Sequence, residues 1–223
     1  MTEVFPIAPS ILSADFSNLG AQLREAENAG ITMLHLDVMD RHFVPNLTFG
    51  SFLLPTLRKA GIKSLFDVHL MVDPVEPLIH DFIKAGANRI SFHPEATFDL
   101  NGAISLVKKA NCDVGIALNP DQNMHRILPI LSQLDFILIM SVYPGFSGQK
   151  FIEPVKDKIK ECRQFLDQHH PTCRIQVDGG VSLDNLSELI QLGADHFVMG
   201  SAFFSEQNFE TLIKACRHKL FSK

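Results

Sequence analysis

Three short patterns carry side chains able to do chemistry. His35-Leu36-Asp37 and Asp67-Val68-His69 each set an imidazole and a carboxylate two residues apart, and Asp178-Gly179-Gly180 puts a carboxylate ahead of paired glycines. On a strand, residues i and i+2 share a face, so each pair projects together. Such groups at the end of a buried strand need a charge partner. Two arrangements supply one: a hydrogen-bonded His-Asp pair, or a cation between several such groups. His35, Asp37, His69 and Asp178 offer two imidazoles and two carboxylates, a set that suits Zn²⁺, Fe²⁺, Mn²⁺ or Co²⁺. One His-x-Asp is common by chance, and recurrence of these residue types at separate strand ends favours the metal. Asp67, a layer deeper than His69, fits buried support. His93 precedes a proline and fits a structural or outer role. Met39, Met71 and Met140 suit either gap-filling core or a polarisable apolar wall.

Glycine marks a second group of candidates. Pro144-Gly145-Phe146-Ser147-Gly148-Gln149, Gly179-Gly180 and Gly200-Ser201 follow three successive apolar runs. Glycines let backbone N–H groups approach phosphate oxygens. Ordinary turn chemistry uses them too, but three such loops on neighbouring strands favour a phosphate site.

The elements that must position these residues are readable from periodicity. Apolar runs at 5–9, 33–38, 64–71, 89–92, 114–118, 136–141, 175–177 and 196–199 are the expected strands. Amphipathic segments lie between them, such as Leu19, Leu23 and Ala26, or Ile152, Val155, Ile159 and Cys162. Ala29-Gly30, Ala60-Gly61, Ala85-Gly86 and Leu192-Gly193 each end a helical segment just before a strand, where glycine suits a left-handed cap. Eight strand–helix units in 223 residues predict an α/β fold, a (β/α)₈ TIM barrel, as one domain over residues 1–223. A doubly wound sheet would carry Gly-x-Gly-x-x-Gly after its first strand. Here that turn reads Ser10-Ile11-Leu12-Ser13-Ala14-Asp15. Barrels of this kind hold their sites at the C-terminal strand ends, where the candidates above fall.

Composition narrows the partners. A net charge of −5, without blocks of like charge, argues against nucleic acid or an acidic membrane. No stretch approaches the ~20 apolar residues of a membrane span, and the first residues do not resemble a secretion signal. Cys112, Cys162, Cys173 and Cys216 are widely spaced, which suits reduced thiols in a cytoplasmic protein. The chemistry these parts permit is removal of a proton next to a carbonyl. Asp37 and Asp178, from strands two and seven, would flank a planar enediolate and invert the carbon between them. The expected substrate is a phosphorylated sugar.

At these residues the chain resembles the ribulose-phosphate 3-epimerase family. The matching segments are 10–16, 35–50, 67–72, 91–96, 117–120, 140–151, 177–181 and Gly200-Ser201, nearly the whole chain. The resemblance implies a TIM barrel of the ribulose-phosphate-binding type and interconversion of D-ribulose 5-phosphate and D-xylulose 5-phosphate in the pentose phosphate pathway. It implies one divalent ion per subunit held by His35, Asp37, His69 and Asp178, with Asp37 and Asp178 as the acid/base pair. Ser10 and His69 would contact the sugar. Gly145, Phe146, Ser147, Gly148, Asp178, Gly179, Gly180, Gly200 and Ser201 would bind substrate, chiefly its phosphate, and Met39, Met71 and Met140 would form the site wall. A homo-oligomer is implied as well. The chain departs from the commonest family pattern at Arg41, Tyr143 and Ser147. The nearest rival is a 3-epimerase of a six-carbon phosphosugar such as D-allulose 6-phosphate. A related decarboxylase or aldol-type synthase would carry lysine where His69 stands, and a non-catalytic phosphosugar binder would not need both aspartates.

Overall fold

The computed structural model describes residues 4–221, and within them strand and helix alternate along a curved parallel sheet. The order is β1 (Ile7–Pro9), α1 (Leu19–Ala29), β2 (Met33–Met39), α2 (Leu53–Lys59), β3 (Leu65–Met71), α3 (Glu76–Ala85), β4 (Arg89–Phe92), α4 (Leu100–Lys109) and β5 (Asp113–Leu118). Then follow β6 (Phe136–Met140), α5 (Val155–His169), β7 (Arg174–Asp178), α6 (Leu183–Gln191), β8 (His196–Met199), the short α7 (Ser201–Phe204) and α8 (Phe209–Phe221). The sheet runs β1-β8-β7-β6-β5-β4-β3-β2, and each neighbouring pair is parallel. A parallel bridge between Ser10 and His35 joins the first strand to the second, so the sheet is a nearly closed (β/α)₈ barrel.

Alternation along each strand separates two interiors. Leu34, Leu36 and Val38 of β2 and Phe66, Val68 and Leu70 of β3 pack outward into the main apolar core beneath the helices. The intervening residues, Met33, His35, Asp37 and Met39, then Asp67, His69 and Met71, turn into the barrel. Among the described residues the apolar filling there clusters at Ala117, Phe136, Leu138 and Met140 on one side and at Met39, Val44 and Met71 near the mouth. Buried polar side chains share the lumen with it, His35, Asp37, Asp67, His69, Arg89 and Gln176 among them.

The expected joints hold. Gly30 and Gly86 cap α1 and α3 at φ +110° and +96°, a conformation that a Cβ disfavours. Strand edges shift by a residue or two where local polar groups compete. Ser64 falls outside β3 because its N–H and hydroxyl both donate to the Glu27 carboxylate. The fifth crossover departs from the helical expectation: it is made of 3₁₀ turns at Met124–Arg126 and Leu128–Gln133. The buried residues Ile127, Ile130, Leu131 and Leu134 stand at i, i+3, i+4 and i+7, an amphipathic helical spacing that the segment meets with short 3₁₀ turns rather than one α-helix.

One half-buried imidazole, His196, gives the fold a pH dependence. Burial, and then the Arg89 guanidinium, hold His196 down at about 4 from the ordinary 6.5. In the unfolded chain this ring takes up a proton near 6.5, whereas the folded protein resists until about 4. Its stabilising contribution is therefore full above pH 6.5 and is lost as pH falls toward 4, by on the order of 2–3 kcal/mol. Urea unfolding across that window should show the decline, and His196→Gln should flatten it. An unchanged slope in the variant would assign the dependence to other groups.

Candidate active site

The site begins with register. In the β2–β3 ladder His35 stands beside Asp67 and Asp37 beside His69, so each imidazole faces a carboxylate on the next strand. Asp178, last residue of β7, lies beside Met140 at the end of β6. Barrel closure brings it to the other two pairs. His35 Nε2 is 3.3 Å from Asp37 Oδ1 and 3.8 Å from Asp178 Oδ2. His69 Nδ1 is likewise 3.3 Å and 3.8 Å from the same two oxygens. One ligand-type atom from each of His35, Asp37, His69 and Asp178 therefore falls within 4.8 Å of the others, and the four form a group that could hold a metal ion.

The hydrogen bonds fit an ion at that point. His35 Nδ1 meets Asp67 Oδ2 at 2.8 Å. A carboxylate only accepts, so Nδ1 carries a hydrogen and Nε2 is the nitrogen left facing the group. Burial disfavours charge on the ring, but Asp37 and Asp67 outweigh it and raise its affinity for a proton well above the ordinary, so Nε2 takes a proton or a metal ion. That buried Nε2 has no hydrogen-bond partner and faces two carboxylate oxygens, an arrangement unfavourable without a cation between them. His69 Nε2 lies 3.0 Å from His93 Nε2. With the hydrogen on His69 Nε2, its Nδ1 turns a lone pair to the group. His93 is thus an outer partner of His69, braced by Phe43 with ring centroids 4.8 Å apart. The Ser10 hydroxyl donates to Asp37 Oδ2 at 2.5 Å, orienting the carboxylate.

The two site aspartates have opposite acid–base character. Burial disfavours charge on Asp37, but His35 and His69 outweigh it and hold the carboxyl well below the usual carboxylate range. Burial and the facing Asp37 push Asp178 up to about 7. Environments that drive two nearby carboxyls apart are the arrangement needed for one to accept a proton while the other donates.

Above this group opens a cavity of about 460 Å³. Ser10, Asp37, Asp178, Met39, Met71 and Met140 line it, with Gly145, Phe146, Ser147, Gly148, Gly179, Gly180, Gly200 and Ser201 at its glycine-bearing side. His35 and His69 do not line it. Both are fully buried behind the carboxylates, so His69 faces the cluster rather than the open space. The glycine loops interlock closely. A Cβ on Gly179 would fall 2.4 Å from Val142, and one on Gly180, at φ +62°, would fall 2.4 Å from the Phe151 backbone nitrogen.

The three departures from the family pattern resolve differently. Ser147 is not among the described residues with positive φ, so serine is unstrained there. Arg41 does adopt φ +62°, in a turn where Asp40 accepts from the N–H groups of His42, Phe43 and Asp73. Asp40 is therefore a loop-stabilising residue. Tyr143 is exposed and outside the cavity lining.

Sequence reading missed several residues close to this machinery. Asn46 donates to the Gly145 carbonyl at 2.7 Å and ties the loop after β2 to the loop after β6. Gln176 donates to Asp67 at 2.6 Å, and Arg89 reaches Gln176 at 3.1 Å. A charged residue opening the apolar run 89–92 was the available signal for Arg89.

Known proteins sharpen the picture. A family model described as "Ribulose-phosphate 3 epimerase family" matches residues 6–204. A protein named ribulose-phosphate 3-epimerase from Escherichia coli (strain K12) is 45% identical over 214 residues, covering 96% of this chain and 95% of the relative. One of the same name from Serratia marcescens is 46% identical over 205 residues, covering 92% and 98%. Among solved structures, 3-hexulose-6-phosphate synthase from Salmonella typhimurium superposes with a TM-score of 0.72 at 13% identity, covering 97% of this chain and 98% of that one. KGPDC from Streptococcus mutans gives 0.71 at 12% identity, covering 98% of each chain. These distant structures share the fold. The sequence matches go further, and by them the chain belongs to the ribulose-phosphate 3-epimerase family of carbohydrate epimerases.

Proposed function

We propose that the protein interconverts D-ribulose 5-phosphate and D-xylulose 5-phosphate by passing the C3 proton between substrate and two aspartates. The observation that carries this reading is the convergence of Asp37 and Asp178, from strands on different sides of the barrel, at the floor of one cavity with glycine loops at its side. Asp37 or Asp178 removes the C3 proton from its own face, and the other returns a proton to the opposite face. Configuration at C3 inverts, one carboxyl ends protonated and the other ionised, and proton exchange with water returns both to their starting states for the next turnover. Ser10 holds Asp37 in orientation through its short hydrogen bond. The buried side chains of Met39, Met71 and Met140 form an apolar wall that limits access of water to the enediolate.

His35, Asp37, His69 and Asp178 would hold one divalent ion per subunit, Zn²⁺, Fe²⁺, Mn²⁺ or Co²⁺, which when bound polarises the ketone and stabilises negative charge on the enediolate. The backbone of Gly179, Gly180, Gly200 and Ser201, with the segment from Gly145 to Gly148, binds the phosphate end and thereby fixes C3 between the carboxylates. On this reading the enzyme serves the pentose phosphate pathway as a cytoplasmic homo-oligomer. Its four cysteines are free and buried, which fits a reducing compartment.

A coupled epimerase assay run in parallel on D-ribulose 5-phosphate and D-allulose 6-phosphate, with metal content measured on the same sample, tests the assignment. Higher kcat/KM on the pentose is expected. Preference for the six-carbon sugar would replace the substrate, and inactivity on both would remove the reading.

The phosphate assignment has its own test. Gly180→Ala forces a Cβ into the Phe151 backbone at a positive φ, a strain on the order of 1–3 kcal/mol. Because that strain displaces the loop, KM for the phosphosugar should rise by roughly tenfold, since ~1.4 kcal/mol is a factor of ten. An unaltered KM would take Gly180 out of the phosphate site.

A further inference from the structure

The lower half of the barrel lumen holds a charged chain where aliphatic layers are the rule. Arg89 Nη2 donates to Gln176 Oε1 at 3.1 Å. Gln176 Nε2 donates to Asp67 Oδ2 at 2.6 Å. The same oxygen accepts from His35 Nδ1 at 2.8 Å. Arg89 Nε stands 3.8 Å from the other oxygen of Asp67. Residues from β2, β3, β4 and β7 therefore meet in one line that ends at the candidate metal ligands.

The direction of this line is set chemically. A guanidinium has donors and no acceptor. Gln176 must turn its carbonyl oxygen to Arg89, which leaves its NH₂ for Asp67. Asp67, with a cation on one side and an amide donor on the other, is held as an acceptor. It therefore takes the hydrogen of His35 Nδ1 and leaves Nε2 as the nitrogen turned to the ligand group. A neutral residue in place of Arg89 would free the amide to turn over and remove that polarity.

The guanidinium is itself seated by construction. It lies over the Phe136 ring, 4.0 Å from the centroid, and its Nη1 meets Met33 Sδ at 3.0 Å. The ring occupies space that Gly115 leaves open, since a Cβ there would fall 2.4 Å from Phe136.

We propose that Arg89 and Gln176 are positioning residues: acting through Asp67, they fix the hydrogen on His35 Nδ1 and keep the Nε2 lone pair turned into the ligand group. This deepens the metal-site reading above and rests on it. Hydrogen-bond partners behind a ligating imidazole are worth about 10–100-fold in metal affinity when removed.

The test uses full-length protein loaded with Zn²⁺. In ¹⁵N-histidine-labelled wild type, His35 should carry its proton on Nδ1. Gln176→Met, which keeps the side-chain length and loses the amide, should weaken Zn²⁺ binding about 10–100-fold in chelator competition. Its metal-free urea unfolding midpoint, measured alongside, separates this loss from a general loss of packing. Arg89→Lys, which keeps the charge, should retain more affinity than Arg89→Met. Wild-type affinity in Gln176→Met, or a His35 proton on Nε2 in the wild type, would overturn the proposal. The second measurement decides it even if the variants do not fold. Failure of the wild type to bind Zn²⁺ at all would remove the metal-site reading together with this one, whereas binding with an unaltered Gln176→Met variant would remove this one alone.

Discussion

Asp37→Asn and Asp178→Asn should each lower epimerisation by on the order of 10²–10⁴-fold, the usual contribution of a positioned acid or base. An amide at either position neither takes the C3 proton nor returns one. The two variants should also differ from a general collapse of the site. Each keeps one carboxylate, and that carboxylate still faces the proton of one epimer. In deuterated water each variant should exchange the C3 hydrogen of one epimer, a different one for each, without inverting it. Both aspartates are also proposed ligands, so metal content is measured on each variant. Retention of more than about a tenth of wild-type activity by either variant would defeat the two-base assignment. So would exchange of the same epimer by both.

Chelation should abolish turnover, and a single added divalent ion should restore it. The reason lies in the geometry of the four groups. Asp37 and Asp178 converge on the two imidazoles with oxygen-to-nitrogen separations of 3.3 and 3.8 Å, and His35 turns Nε2 to them because its Nδ1 donates to Asp67. Two buried carboxylates gathered on two imidazole nitrogens call for positive charge, and a dication supplies it at the point where all four meet. Metal should therefore raise stability as well as activity. A ligand at about 100 times its Kd adds ~2.7 kcal/mol to the native state, so thermal unfolding should rise with Zn²⁺ or Co²⁺. Full activity in protein shown by elemental analysis to be metal-free would sink the metal role.

How far the site could be read from sequence depends on how local each signal is. The strand pairs His35/Asp37 and Asp67/His69 announce themselves because side chains two apart on a strand must share a face. The four left-handed glycine joints announce the helix ends because a Cβ disfavours that conformation. Ser147 and Arg41 show the limit of such reasoning. Both depart from the pattern the chain resembles, yet of the two only Arg41 adopts a positive φ. Backbone angles in a loop follow from where its ends are anchored, which adjacent residues do not encode.

The same divide applies to chemistry. Asp178 could be listed as a carboxylate before two glycines, but its elevation to about 7 comes from burial and from Asp37 across the lumen. His93 was legible as a structural or outer residue, but its partner was not, and pairing of β4 with β3 put its ring 3.0 Å from His69. Arg89 and Gln176 were invisible as a pair.

By itself, then, the sequence determined the strand–helix order, the barrel class, the inward-facing His and Asp residues and the glycine loops. Each of these follows from periodicity or from the conformational freedom of single residues. Tertiary structure alone decided which inward residues meet, which nitrogen of His35 faces the ligand group, and which aspartate is hard to ionise. Those properties depend on strand register and on contacts such as Gln176 to Asp67, 109 residues apart in the chain. They exist only once the last strands close against the first and water is excluded from the lumen.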